Sequence, residues 1–133
     1  MAVVGIGVDA IEISRVRAAL ERTPGLLARL FTERERATCL TRCGDLRYGG
    51  LAGRFAAKEA VAKALGTGIS GFGFRDIEVL GDERGKPTVT LHGGAARVAA
   101  AAGVETLHVS LSTSAELAVA NAVAESAPTT MRR

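Results

Sequence analysis

The sequence contains few large or rigid side chains. It has no Trp, one Tyr, four Phe, two Cys and three Pro in 133 residues, while Ala occurs 24 times. Contacts between alanines are small and close, and a short chain buries a smaller fraction of its surface than a long one. We therefore expect one domain that completes the burial of its surface against further copies of the same chain.

Features of membrane, secreted and zinc proteins are also missing. No apolar run approaches the roughly 18 residues of a membrane span, and no basic leader precedes the apolar N-terminal residues. Cys39 and Cys43 are four residues apart, but His92 and His108 lie at no spacing typical of a zinc site. We expect two reduced thiols, a cytoplasmic location and no membrane partner.

Positive charge is concentrated in one third of the chain. The net charge is +3, but residues 14–54 contain nine Arg and four acidic residues and carry +5 by themselves. Such a segment fits an anionic partner, which nucleic acid, an acidic protein or a phosphorylated small molecule could each provide, and it equally fits a solvated helix face. Because the segment lacks the interleaved aromatic side chains on which bases stack, we predict no nucleic-acid partner.

Hydrophobic periodicity and turn residues predict four helices. The longest, over residues 50–65, is rich in good helix formers and ends at Gly66. Ser14 is a predicted N-cap for a helix that ends near Pro24. Thr32 and Glu35 form a predicted capping box, which starts a helix running to about Cys43. An alanine-rich helix is predicted over residues 94–102.

The remaining elements are predicted strands, which make the fold class α+β with an antiparallel sheet packed against the long helix. They cover residues 2–9, 76–80, 88–91 and 106–112. Residues 115–124 suit a last strand, although their alanine content also permits a helix. The sequence contains no internal repeat and no linker.

Two glycine-rich segments match nucleotide-binding motifs only in part. Residues 5–10 fit a dinucleotide fingerprint, but the chain is too short for the usual doubly wound domain. Residues 66–73 contain four glycines and are followed by no Gly-Lys-Ser/Thr sequence, so they form no P-loop. Their backbone N–H groups suit a phosphate, and a simple connection explains them as well.

Asp9 and Glu59 are the carboxylates best suited to an inward-facing site, because each is set among small and apolar residues. Two oxygen donors from separate elements suit Mg²⁺, which completes its shell with water and substrate phosphates. Arg54, Lys58 and Lys63 lie on the same predicted helix as Glu59. Carboxylates and cations together predict a site for a metal ion and a phosphate.

Two blocks of sequence resemble the holo-[acyl-carrier-protein] synthases, a class of 4′-phosphopantetheinyl transferases. The first consists of GIGVD and EISRV within residues 5–16, and the second of RFAAKEA and KALGTG within residues 54–68. The GKP turn at residues 85–87 and the strand HVSLS at residues 108–112 also match. The resemblance implies the transferase fold over residues 1–127 and a homotrimer with active sites between subunits. The last residues of the chain, 128–133, are expected to fray.

The resemblance implies a reaction and a set of site residues. The 4′-phosphopantetheine group of coenzyme A is transferred to a serine of an apo acyl carrier protein, in fatty acid or polyketide biosynthesis, and adenosine 3′,5′-bisphosphate is released. Asp9 and Glu59 hold Mg²⁺ and, with Lys63, form the predicted catalytic group. The coenzyme-binding positions are Arg54, Lys63, Gly66, Thr67, Gly68, Lys86, Pro87 and His108. The carrier-protein docking positions are Arg15, Arg22 and Leu26.

Thr113 departs from the family pattern. The family strand that begins at the position of His108 usually ends in Ser/Thr-His, whereas residues 112–114 of this chain are Ser-Thr-Ser. The role of the second histidine does not carry over to Thr113, so a coenzyme A-binding homologue with reduced or lost turnover is the alternative. The sequence does not identify the general base, and His108 fits both a phosphate contact and a structural role.

Overall fold

The structure is a computed structural model that describes residues 1–128. Within these residues the chain forms five α-helices and five strands, which confirms the predicted α+β class. The helices are α1 (Ile13–Arg22), α2 (Leu26–Leu30), α3 (Glu33–Thr38), α4 (Tyr48–Ala64) and α5 (Gly93–Ala101). The strands are β1 (Val3–Glu12), β2 (Ile77–Gly81), β3 (Pro87–Leu91), β4 (Val104–Thr113) and β5 (Leu117–Ser126). Apart from Pro128, the predicted tail lies outside the described residues.

The strands form two antiparallel sheets. β5 lies at the centre of a three-stranded sheet in the order β1-β5-β4, and β2 and β3 form a separate hairpin. The alanine-rich segment at residues 115–124 is therefore mostly strand, not helix. Its alanines occupy every second position of β5 and therefore all lie on the inner face of the sheet, where they are buried: Ala118, Ala120, Ala122 and Ala124.

The main core lies between α4 and the inner face of the three-stranded sheet. The buried residues of α4 in this layer are mostly alanines, and they pack on the alanines of β5. Gly5 and Gly7 bring β1 closer still, because a Cβ at Gly5 would lie 2.0 Å from Ala64 O and one at Gly7 would lie 1.9 Å from Ala60 O. The alanine and glycine content thus permits a close contact between helix and sheet.

Some helix boundaries in the basic segment differ from the prediction. Glu12, and not Ser14, is the N-cap of α1, and Ile13 N donates to Glu116 O at 2.8 Å. Thr32 and Glu35 form the predicted capping box, but α3 ends at Thr38 instead of near Cys43. The chain turns back there because Arg47 N donates to Cys39 O at 2.8 Å. The five-residue helix α2 has no counterpart in the prediction.

α4 is the longest helix of the part of the chain that the structure describes. No helix in this part is both long enough and apolar enough to cross a membrane.

Candidate active site

The three predicted catalytic residues lie together where β1 packs on α4. Lys63 Nζ donates to Asp9 Oδ1 at 3.1 Å and to Val8 O at 2.9 Å. Glu59 is one helical turn before Lys63, so both side chains lie on the same face of α4. Asp9 follows Gly7 on the inner face of β1. The close contact between Gly7 and α4 brings the Asp9 carboxylate to the helix.

The surroundings of Glu59 shift its pKa upward. Burial raises the pKa of Glu59, the charge of Asp9 raises it further, and the charge of Lys63 opposes both effects. A cation between two such carboxylates relieves their repulsion. Two carboxylates from separate elements suit an ion that takes few protein ligands and completes its shell with water and phosphate oxygens, as Mg²⁺ does.

Arg54 lies about one and a half turns before Glu59 on α4. Its Nε donates to Val79 O at 3.1 Å and its Nη1 to Gly50 O at 3.3 Å. The side chain borders a cavity of about 110 Å³ between α4 and the β2–β3 hairpin, which also contains Pro87 in its wall. Two predicted coenzyme-binding positions therefore meet at this cavity, while Lys86 is exposed beside it in the hairpin turn.

The predicted nucleotide-binding loop closes the C-terminus of α4. Gly66 has a φ of +87°, and its N–H donates to Lys63 O at 2.9 Å. The N–H groups of Thr67 and Gly68 donate to Ala62 O at 3.3 Å and 3.1 Å. All three N–H groups thus satisfy carbonyl groups of the last helical turn, and the coenzyme-binding role of this loop stays a prediction.

His108 lies on the opposite face of the sheet from Asp9. Strand alternation places it outward with Ser110, and its Nε2 lies 2.6 Å from Glu125 Oε1 on β5. Because β5 separates β4 from β1, His108 does not join the group of Asp9, Glu59 and Lys63 within one protomer. Its predicted contact with the coenzyme requires a site that two protomers share.

The predicted docking residues lie on the helices that follow β1. Arg15 and Arg22 are exposed on α1, and their spacing of seven residues puts them on one face, two turns apart. Leu26 begins α2 and is partly buried against the smaller core cluster, which contains Val16 and Leu20. This surface combines two exposed guanidinium groups with an apolar neighbour.

Lys58 does not belong to the cationic side of α4 that the sequence suggested. It is fully buried, and its Nζ donates to Glu35 Oε1 at 2.8 Å, Phe74 O at 2.8 Å and Ile77 O at 2.5 Å. Burial lowers the pKa of Lys58, and the contact with Glu35 opposes that effect. The sequence contained one relevant signal, because Lys58 and Glu59 are adjacent and point about 100° apart on a helix.

Thr113 ends β4 against the first half of α4. A Cβ at Gly53 would lie 3.5 Å from Thr113 Cγ2 and 3.5 Å from Leu111 Cδ1. The methyl group of Thr113 therefore faces the turn of α4 that carries Arg54. Thr113, which stands where the family pattern has a histidine, therefore lies beside the predicted coenzyme site.

The sequence and the fold are both similar to those of known proteins. Residues 5–122 match the model of the 4′-phosphopantetheinyl transferase superfamily. The holo-[acyl-carrier-protein] synthase of Clostridium novyi is 49% identical over 92% of this chain and 88% of its own length. The synthase of Desulforudis audaxviator is 50% identical over 92% of both chains.

Solved structures agree with these relatives. The holo-(acyl-carrier-protein) synthase of Bacillus anthracis in complex with CoA (3′,5′-ADP) has a TM-score of 0.77 and is 41% identical, and the match covers 94% of this chain and 98% of that one. The synthase of Plasmodium yoelii has a TM-score of 0.84 at 29% identity, over 96% and 98% of the two chains. The chain therefore belongs to the holo-[acyl-carrier-protein] synthases, within the 4′-phosphopantetheinyl transferase superfamily.

Proposed function

We propose that this enzyme transfers the 4′-phosphopantetheine group of coenzyme A to a serine hydroxyl of an apo acyl carrier protein and releases adenosine 3′,5′-bisphosphate. The observation that carries the proposal is the meeting of Asp9, Glu59 and Lys63 at one face of α4, with Arg54 on the same helix. Related synthases from Bacillus anthracis and Helicobacter pylori are described in complex with coenzyme A, which supports the choice of substrate.

In this proposal the residues act by positioning and by charge. Asp9 and Glu59 would hold Mg²⁺, which when bound neutralises negative charge on the pyrophosphate. Lys63 fixes the Asp9 carboxylate through the 3.1 Å hydrogen bond and leaves part of its ammonium group exposed to a phosphate. Arg54 binds a phosphate of the coenzyme at the hairpin cavity.

The transfer exchanges one phosphorus–oxygen bond for another. The serine oxygen forms a bond to the phosphorus that carries pantetheine, and the bond from this phosphorus to the adenosine bisphosphate breaks. The serine hydroxyl loses its proton in the process. Glu59, with its raised pKa, is one candidate to accept that proton, and a water molecule at the site is another.

We further propose a homotrimer whose active sites lie between subunits. The outer face of the three-stranded sheet exposes Val4, Ile6 and Val8, of which Ile6 is 72% exposed. A cavity of about 360 Å³ lies among these strands, next to Asn121 and Val123. An exposed apolar sheet face is typical of an interaction surface, and an interface here would put His108 at a subunit boundary.

A second candidate function rests on Thr113. Its methyl group faces Gly53, where the family pattern has an imidazole, so the side chain supplies no ring nitrogen to the site. If transfer needs that ring nitrogen, the chain binds coenzyme A but transfers phosphopantetheine slowly or not at all. Binding of coenzyme A does not distinguish the two candidates, whereas turnover does.

The deciding experiment is a mass-shift assay on a panel of apo carrier proteins from fatty acid and polyketide synthesis, with and without Mg²⁺. The proposal predicts that at least one carrier gains the mass of one phosphopantetheine group, only when Mg²⁺ is present. Glu59→Gln should abolish the gain, and Glu105→Gln, at an exposed position, is the matched control. Coenzyme A binding without a mass gain on any carrier would favour the second candidate.

A further inference from the structure

Glu35 is a fully buried carboxylate at the junction of α3, α4 and β2. Its Oε1 accepts hydrogen bonds from Thr32 N at 2.9 Å and from Lys58 Nζ at 2.8 Å. Its Oε2 accepts a hydrogen bond from Val79 N at 2.8 Å. One side chain therefore joins the start of α3, the middle of α4 and the middle of β2.

Val79 connects Glu35 to the predicted coenzyme site. Its N–H donates to Glu35, and its carbonyl oxygen accepts the hydrogen bond from Arg54 Nε at 3.1 Å. The residue is 1% exposed, so its backbone cannot shift without disturbing the core around it. Arg54 and Lys58 are one turn apart on α4, so the helix closes a ring whose other links are the hydrogen bonds Lys58–Glu35, Glu35–Val79 and Val79–Arg54.

The ring leaves Arg54 able to bind an anion. A guanidinium group has five N–H donors, and within the described residues Arg54 uses Nε and Nη1 on Val79 O and Gly50 O. The Arg54 side chain also borders the hairpin cavity, and the planar fork of a guanidinium group suits two oxygens of one phosphate. A change in the position of Val79 O would rotate this fork away from that phosphate.

We propose that Glu35 is a positioning residue for coenzyme binding, which orients the guanidinium of Arg54 by holding Val79. This inference rests on the proposed function, since it takes Arg54 to bind a coenzyme phosphate. Glu35 itself touches no substrate, because it is enclosed by α3, α4 and β2. Its effect is on the affinity for the phosphorylated coenzyme, and the surface of α1 that faces the carrier protein does not depend on it.

The test is a double-mutant cycle on coenzyme binding, with the dissociation constants of coenzyme A and of adenosine 3′,5′-bisphosphate measured by calorimetry. The variants are Glu35→Gln, Arg54→Gln and the double variant. We expect Glu35→Gln to weaken binding about tenfold, since loss of one charge-assisted hydrogen bond is a change of that size. Arg54→Gln should weaken binding at least as much, and the double variant should bind no more weakly than Arg54→Gln alone.

A second variant keeps the test decisive if Glu35→Gln does not fold. Glu35→Leu with Lys58→Met replaces the buried ion pair by apolar side chains of similar size, which proteins often tolerate, but leucine cannot accept a hydrogen bond from Val79 N. We expect this variant to fold and to bind coenzyme A about tenfold more weakly than the wild type. Leu107→Ala, a packing change on β4, is the control that should lower stability without changing the affinity.

The outcomes separate the two proposals. If the effects of Glu35→Gln and Arg54→Gln on affinity are additive, or if Glu35→Leu with Lys58→Met binds like the wild type, the positioning role is wrong and Arg54 still stands as a coenzyme residue. If Arg54→Gln binds coenzyme A as tightly as the wild type, the assignment of Arg54 is wrong and the positioning role falls with it. If the wild type does not bind coenzyme A, the proposed function fails.

Discussion

Gly7 of β1 lies so close to Ala60 of α4 that a Cβ atom on the glycine would be 1.9 Å from the carbonyl oxygen of the alanine. This contact has a consequence for the site, because Asp9 is the next residue on the same face of β1. A strand held at this distance from the helix brings the Asp9 carboxylate within 3.1 Å of Lys63 Nζ. A larger residue at position 7 would move the strand and the carboxylate together.

Gly7→Ala should therefore affect stability and activity at the same time. We expect the free energy of unfolding to fall by about 1–3 kcal/mol, the usual cost of overpacking, and Mg²⁺-dependent transfer to fall as Asp9 separates from Lys63. Urea denaturation and the mass-shift assay measure the two effects. Gly73→Ala is the matched control, since nothing lies within 4 Å of a Cβ there. Equal stability of both variants would show that β1 has room to adjust.

The parts of this site that the sequence predicted are those that depend on local order along the chain. Asp9 follows two glycines in a strand, and Glu59 and Lys63 are one turn apart on a helix, so each face could be assigned from periodicity. The burial of Lys58 could not be predicted, because its partner Glu35 is 23 residues away and the capping box already explained that glutamate. Likewise, alternation put His108 with the serines of its strand, but only the strand order shows that β5 separates it from Asp9.

Glu59→Gln should abolish transfer without lowering the stability of the fold. The pKa of Glu59 is raised, so the contribution of its protonated form to stability is present at low pH and is lost as the pH rises through the raised value. Without Mg²⁺, the variant should be at least as stable as the wild type near pH 7 and equally stable near pH 4. Urea denaturation at both pH values tests this, with Glu105→Gln as the control. A less stable variant near pH 7 would mean that the Glu59 carboxylate stabilises the fold.

Glu78 should show the opposite dependence on pH. Burial raises its pKa, but hydrogen bonds from Thr32 and His92 and the charges of Arg34 and His92 lower it, and the net shift is downward. Its contribution to stability is therefore complete above the pKa of the unfolded chain and is lost as the pH falls through the folded value.

Glu78→Gln should accordingly lower the free energy of unfolding near pH 7 by about 1–3 kcal/mol, and the difference from the wild type should shrink in acid. Urea denaturation at several pH values measures the difference. Glu83→Gln, at an exposed position in the hairpin turn, should change stability little at any pH. A difference between Glu78→Gln and the wild type that stays constant into acid would contradict the linkage.

Reversal of charge on α1 should act on the carrier protein alone. Arg15→Glu and Arg22→Glu each replace an exposed guanidinium on the predicted docking face. We expect the apparent KM for the apo carrier to rise about tenfold, while the KM for coenzyme A stays close to the wild-type value. Arg97→Glu, at an exposed position on α5, is the control for net charge. An equal rise in both KM values would place these arginines at the coenzyme site instead.

A charge on the outer face of the sheet should prevent self-association. Ile6 is 72% exposed within one protomer, and Val8 beside it is 56% exposed, so an interface on this face would bury both. Ile6→Asp would leave a carboxylate buried without a partner in such an interface, which is far more costly than its exposure on a monomer. We expect the wild type to have the mass of a trimer in light scattering, and Ile6→Asp to have a smaller mass and reduced transfer. Leu40→Asp, at a position 44% exposed in the loop before α4, should keep both properties.

A wild-type monomer with full activity would overturn the proposal of a site shared between subunits. His108 would then have no route to the coenzyme, because β5 separates it from Asp9 within one protomer.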